Sequence, residues 1–266
     1  MLVSMLPERD FLGWGWRLPF LVSAVLVVVG LVIRLSIEES PALVALKAGD
    51  RTAKVPVVEV LRSHPGMVAL AVCAASIAFT AGYFKNTFAV SWATTDLGFA
   101  RESFLTVVFI ASVTQFVVQP FGAILAHRWD IRKTVTLLLA LELVALPLMF
   151  VMIATGDVAV SVVGMVIATV PHVMFYAILA GMLAQAFPVH IRYTGMSLAY
   201  GLAGMLLGGT APLIGQALLS ALGSIVPVVV YALVTVLMSL CGARALPALS
   251  ARRAATEPVD EAVTAP

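Results

Sequence analysis

No Asp, Glu, Lys or Arg occurs from Tyr193 to Ala243, a run of 51 residues. A helix needs only ~20 apolar residues to cross a bilayer, so a run this long must cross, turn and cross again. The segment "ALGSIVP", Ala221 to Pro227, sets Gly and Pro near its middle and marks the turn. The rest of the chain has the same character. Hydrophobic residues make up 61% and charged residues only 11%. A soluble domain carries ~25% charged residues. This chain cannot cover a wet surface, so its outer face must meet lipid. The lipid bilayer is its first partner, and the net charge of +2 is too small to indicate nucleic acid. Cys73 and Cys241 sit in apolar runs without metal or disulfide spacing. No H-E-x-x-H, Walker A, G-x-S-x-G or zinc-type Cys/His pattern is present. No enzyme, metal site or cofactor is therefore expected.

Charged residues punctuate the remaining spans. Leu18 to Ile33 is free of charge, with Trp14 and Trp16 at an interface position. Pro65 to Phe84 follows, and its apolar pattern continues past Lys85 to Thr95. Ser103 to Ala126, Thr134 to Gly156 and Val158 to Phe187 are the next three. With the two halves of the long run, the sequence predicts an all-α membrane protein with seven transmembrane helices. The loops alternate between rich and poor in Lys and Arg, and 12 of the 16 basic residues fall on one side. Basic loops are cytoplasmic, so the C-terminus is expected inside and the N-terminus outside. "MLVSMLPERDFLGWGWR" lacks the layout of a signal peptide, so preceding helices are expected upstream. The predicted organisation is a non-cytoplasmic segment over 1–17, a first span over 18–35 and a cytoplasmic loop over 36–65. A six-helix bundle over 66–245 and a disordered cytoplasmic tail over 246–266 complete it.

Ionisable residues inside spans are costly and are functional candidates by default. Lys85, in "AGYFKNTFAV", either faces a watery cavity or snorkels to the interface. Tyr83, Asn86 and Thr87 either add hydrogen bonds beside it or satisfy helix backbone. A bare carboxylate at Glu142 would be expensive in hydrocarbon, which makes it a candidate proton carrier. A helix-packing hydrogen bond or an interfacial carboxylate is the alternative. His172 follows Pro171 and either pairs with the carbonyl that proline frees or relays protons. Nothing in their spacing requires Glu142 and His172 to meet. Tyr176 joins the candidates on the same segment. Gln115 and Gln119, one turn apart, either line a path or bind helices together. Gly201, Gly204, Gly208 and Gly209 offer close backbone approach.

Four stretches carry a resemblance. "FLGWGWRLPFLVSAVLVVVGLVIRLSIEESPAL" (Phe11 to Leu43), "TFAVSWATTDLGFARESFL" (Thr87 to Leu105), "FPVHIRYTG" (Phe187 to Gly195) and "GGTAPLI" (Gly208 to Ile214) stand in order. They resemble the metabolite:proton symporters of the major facilitator superfamily, over Phe11 to about Ala243. The resemblance implies helices six to twelve of a twelve-helix fold, the last six forming its C-terminal bundle. It further implies a bacterial cytoplasmic membrane and a small organic acid or zwitterionic osmolyte carried with a proton. A missing N-terminal six-helix half would be the partner. It assigns Gly122, Arg128, Asp130, Arg132, Arg192 and Tyr193 to cytoplasmic loop motifs, where arginines either brace one conformation or anchor the inner side. "GAILAHRWDIRKT" departs from the family pattern at His127 and Asp130, and Gln185, Ala177–Leu179 and Gly201 replace polar family residues. The alternative is a stand-alone seven-helix membrane protein or a non-functional remnant.

Overall fold

A computed structural model describes residues 8–36 and 56–256. The chain divides into two compact units, Met1–Thr52 and Ala53–Pro266. In the first, helix α1 (Glu8–Gly13) and one tight turn (Gly15–Arg17) lead into α2 (Leu18–Ser36). The Arg17 guanidinium lies 4.5 Å from the centre of the Trp16 ring. That pairing suits a polar–apolar boundary, where the cation is wet and the ring is not. No residue of α2 is buried, and it is apolar all round. A helix with no polar face and this length suits a membrane span.

The second unit holds a short helix, α3 (Pro56–Ser63), and six long ones. These are α4 (Pro65–Thr95), α5 (Arg101–Arg128), α6 (Ile131–Ile153), α7 (Val158–Ala186), α8 (Arg192–Leu222) and the last helix, α9 (Val226–Thr256). Among the described residues, seven helices are long and apolar enough to cross a membrane, α2 and these six. Helix α7 packs between α5 and α6 and also touches α4 and α8, while α4 packs along α9. Helices α5 and α8 are the least covered of the six. Phe116, Val117 and Phe121 of α5 are exposed.

The connections follow from local chemistry. Asp130 caps α6, its Oδ1 accepting from the backbone N–H groups of Arg132 and Lys133 at 2.9 and 3.0 Å. Asp157 caps α7 in the same way through Val160. Gly223 adopts φ +62° at the predicted turn between α8 and α9, a conformation glycine enters without strain.

Polar side chains fasten α4 to α9. The Ser76 hydroxyl donates to the Thr235 carbonyl at 2.8 Å and shares a 3.0 Å hydrogen bond with Ser239. The Ile77 N–H donates to Ser239 Oγ at 3.0 Å. Lipid offers the helices no hydrophobic drive to pair, so such bonds and close packing hold them. Ser76→Ala is expected to lower the stability of the chain by about 0.6 kcal/mol, read as thermal unfolding in detergent.

Two predicted boundaries move. The tail was expected to be disordered from residue 246, but α9 continues to Thr256. Leu246 is fully buried, and Ser250 Oγ donates to the Ala186 carbonyl at 2.9 Å, so the extension is held against α7. Its Ala, Leu and Arg residues are good helix formers. Residues 257–266 lie outside the described residues. The expected loop over 36–65 contains α3, whose Val60 is fully buried and whose Glu59 meets His190 at 3.1 Å. Residues 37–55 of that loop, and residues 1–7 of the first segment, lie outside the described residues.

Candidate functional site

Helix α4 does not run regularly. At Phe84–Phe88 it widens into a π-turn. A second π-turn, Gly204–Gly208, interrupts α8. Gly208 packs on the side chains of Phe79 and Tyr83, which brings the second turn against the helix just before the first. A π-turn shifts the register of every side chain that follows and recurs at functional sites.

The first π-turn carries Lys85 into the bundle. Only 4% of the residue is exposed, and its Nζ donates to Thr169 Oγ1 of α7 at 3.3 Å. Lys85 therefore does not snorkel. One turn beyond Thr169 on α7, His172 Nδ1 lies 3.1 Å from Glu142 Oε1 of α6. Both are buried, Glu142 completely. The second carboxyl oxygen, Oε2, has no hydrogen-bond partner among the described residues. The Lys85 ammonium lies within Coulombic reach of both Glu142 and His172. Three spans thus place a cation, a carboxyl and an imidazole in one buried cluster, far from any helix end.

A cavity of about 320 Å³ adjoins this cluster. Tyr83 and Asn86 of α4, Gln115 of α5, and His172 and Tyr176 of α7 line it. Phe79 forms its aromatic floor, meeting Tyr176 and Tyr200 edge to face at 6.4 and 5.5 Å. Ten residues line the cavity, and none is a Lys, Arg, Asp or Glu. His172 alone belongs to both the cavity wall and the cluster. A proton moving from the cavity to Glu142 would cross one imidazole, whose two nitrogens can pass it on.

The predicted path residues divide accordingly. Tyr83, Asn86, Gln115, His172 and Tyr176 gather around the cavity, while Lys85 and Glu142 stand behind it. Gln119 is not among the lining residues. Asn86 also satisfies helix backbone, donating to the Gly82 carbonyl at 3.0 Å. His172 takes Glu142 as its partner, across a separation of 30 residues that gave no hint of the contact. Thr169 and Phe79 carry no signal beyond residue type. Thr169 does share a helix face with His172, being three residues earlier.

The loop-motif residues do not reach this cavity. Gly122 lies inside α5 rather than in a loop, packed against the backbone of Met174. Asp130 acts as a helix cap. Arg192 Nε donates to the Phe187 carbonyl at 3.3 Å, which stabilises the bend before α8. Tyr193 is 85% exposed. Arg128 and Arg132 are exposed at the ends of α5 and α6. Of the clustered glycines, Gly208 makes a tight contact, whereas Gly201 has open space beside it.

Residues 70–265 match the sequence profile described as Major Facilitator Superfamily. The chain is 31% identical over 227 residues to the shikimate transporter of Escherichia coli (strain K12), covering 82% of this chain and 51% of that protein. It is 27% identical over 219 residues to the inner membrane metabolite transport protein YhjE of the same organism, covering 80% and 50%. To the proline/betaine transporter of Salmonella typhimurium (strain LT2) it is 26% identical over 222 residues, covering 80% and 44%. The chain spans about half the length of the curated relatives it matches.

Proposed function

The chain belongs to the major facilitator superfamily, a family of membrane transporters and not of enzymes, and we propose that it supplies the C-terminal wall of a proton-coupled metabolite symporter. In this reading α4 to α9 form one six-helix bundle. A second bundle, outside this chain, faces it across the cavity. The two would rock about a site near the midplane, opening it to each side in turn.

The observation that carries the reading is the buried cluster behind the cavity. A carboxyl held by a single histidine, with its other oxygen unpartnered, is equipped to take and release a proton. Lys85 supplies a nearby positive charge for the carboxylate that remains after release. The cargo is a small organic acid or a zwitterionic metabolite. The wall described here leans toward the zwitterion, because Lys85 is turned onto Thr169 and the lining has no cation. Phe79, Tyr83 and Tyr176 present rings suited to an alkylated ammonium group. Tyr176→Leu is expected to raise the KM for betaine about tenfold, and the KM for shikimate much less.

The test is uptake by proteoliposomes. The chain alone should not transport, since in this reading the second bundle supplies the rest of the enclosing wall. Joined to a complementary N-terminal half, it should accumulate labelled betaine, proline or shikimate when the pH gradient is directed inward. Uptake that ignores the pH gradient would remove proton coupling from the account. Robust uptake by the chain alone would remove the need for a second half.

The basic loops are assigned to the cytoplasmic side. A cysteine placed at position 192 should then be labelled by a membrane-impermeant reagent only after cells are opened. A cysteine at position 157 should be labelled in intact cells. The reverse pattern would invert the assignment.

A further inference from the structure

A second cavity, of about 460 Å³, is lined by the start of α6, the end of α7 and the C-terminal part of α9. It is separate from the first in position and in chemistry. Arg132 of α6 and Arg244 of α9 line it, together with Gln185 of α7. No Asp or Glu is among its lining residues. Both arginines are exposed, and among the described residues neither has an ion-pair partner. Asp130 is already engaged, since its Oδ1 takes the backbone N–H groups of Arg132 and Lys133. The rest of the wall is largely apolar, with Ile131, Val135 and Met182.

The location sets the ligand. The cavity sits at the ends of three spans, where helices leave hydrocarbon for water. Trp129, 64% exposed and two residues before the lining residue Ile131, is the type of residue that marks this boundary. Two helical turns further into the membrane, on the same face of α9 as Arg244, Leu237 is exposed and apolar, and Val144 of α6, about three turns beyond Arg132, is exposed as well. A free anion would use the arginines and leave these surfaces unused. A phospholipid would use both, with its phosphate between the guanidinium forks and its acyl chains along the exposed helix faces.

We propose that this cavity binds the headgroup phosphate of an anionic phospholipid. The site depends on the spans crossing the bilayer and not on the transport reading, so either can fail alone. The experiment equilibrates the purified full chain in detergent with equal amounts of phosphatidylglycerol and phosphatidylcholine. Retained lipid is counted by native mass spectrometry. The chain should retain phosphatidylglycerol about tenfold better, because two basic side chains meet its net charge. The R132Q/R244Q pair should bring the preference to parity, and R132K/R244K should keep most of it. V135W leaves both arginines in place and fills the cavity, so it should also abolish the preference. That variant decides the matter if the double glutamine variant does not fold. A wild-type preference near one, or a preference that survives both R132Q/R244Q and V135W, overturns the site. Displacement of phosphatidylglycerol by millimolar inorganic phosphate would make it a free-anion site and overturn the lipid assignment.

Discussion

Glu142→Gln is expected to reduce proton-driven uptake at least about 100-fold while leaving downhill exchange of cargo close to wild type. Glutamine matches the shape of the carboxyl and can still hydrogen-bond His172. It has no proton to release. Glu142 is fully buried, and among the described residues no other acid lies within the cluster. A cycle that requires proton release stalls, whereas exchange, which returns the loaded site without releasing the proton, continues. Uptake and exchange are compared in the same proteoliposomes, with the complementary half in place. Equal loss of both would make Glu142 a structural residue. Unchanged uptake would place the proton elsewhere.

The second large effect concerns helix contact. In α9, a Cβ added at Gly242 would strike the backbone nitrogen of Ala74 in α4, and the Leu70 carbonyl oxygen would be 2.7 Å away. In α5, a Cβ at Gly122 would strike the Met174 carbonyl of α7. Backbone cannot rotate aside as a side chain can, so the helices must separate. Gly242→Ala and Gly122→Ala are each expected to cost about 1–3 kcal/mol, as overpacking does in a close-packed interior. Gly201→Ala meets nothing within 4 Å. It should leave stability unchanged, or raise it by up to about 1 kcal/mol through helix propensity. Thermal unfolding of the three variants in detergent separates contact from propensity. Equal behaviour of all three would contradict the packing.

The spans were legible because charge is costly in hydrocarbon, so Lys, Arg, Asp and Glu mark where helices end. Residues 193–243 show this most plainly, dividing at Gly223 as the turn residues indicate. The faces of the helices were not legible. In a soluble helix the apolar stripe identifies the buried side. Here the lipid side and the protein side are both apolar, so periodicity says nothing about which residues meet. Lys85 shows the consequence: burial and snorkelling remained equal choices until α7 placed Thr169 beside it. Glu142 and His172 were each visible as candidates, but their meeting depends on how α6 packs on α7. Gly122 was placed in a loop motif by the family resemblance alone, although the charge-free stretch Ser103 to Ala126 already set it inside a span. Its own role, close contact with Met174, needs the neighbouring helix. The end of α9 was missed because Arg244 reads as a boundary, while Leu246 and Ser250 continue the packing beyond it.

In the proposed mechanism a proton is bound at Glu142, through His172, when cargo is carried. The most direct measurement is proton exchange on binding. The complete transporter is held in lightly buffered detergent with a pH-indicating dye, and saturating cargo is added. A proton signal is expected in the wild type that vanishes in Glu142→Gln, with cargo affinity changed by less than about threefold. An undiminished proton signal in the variant would contradict it.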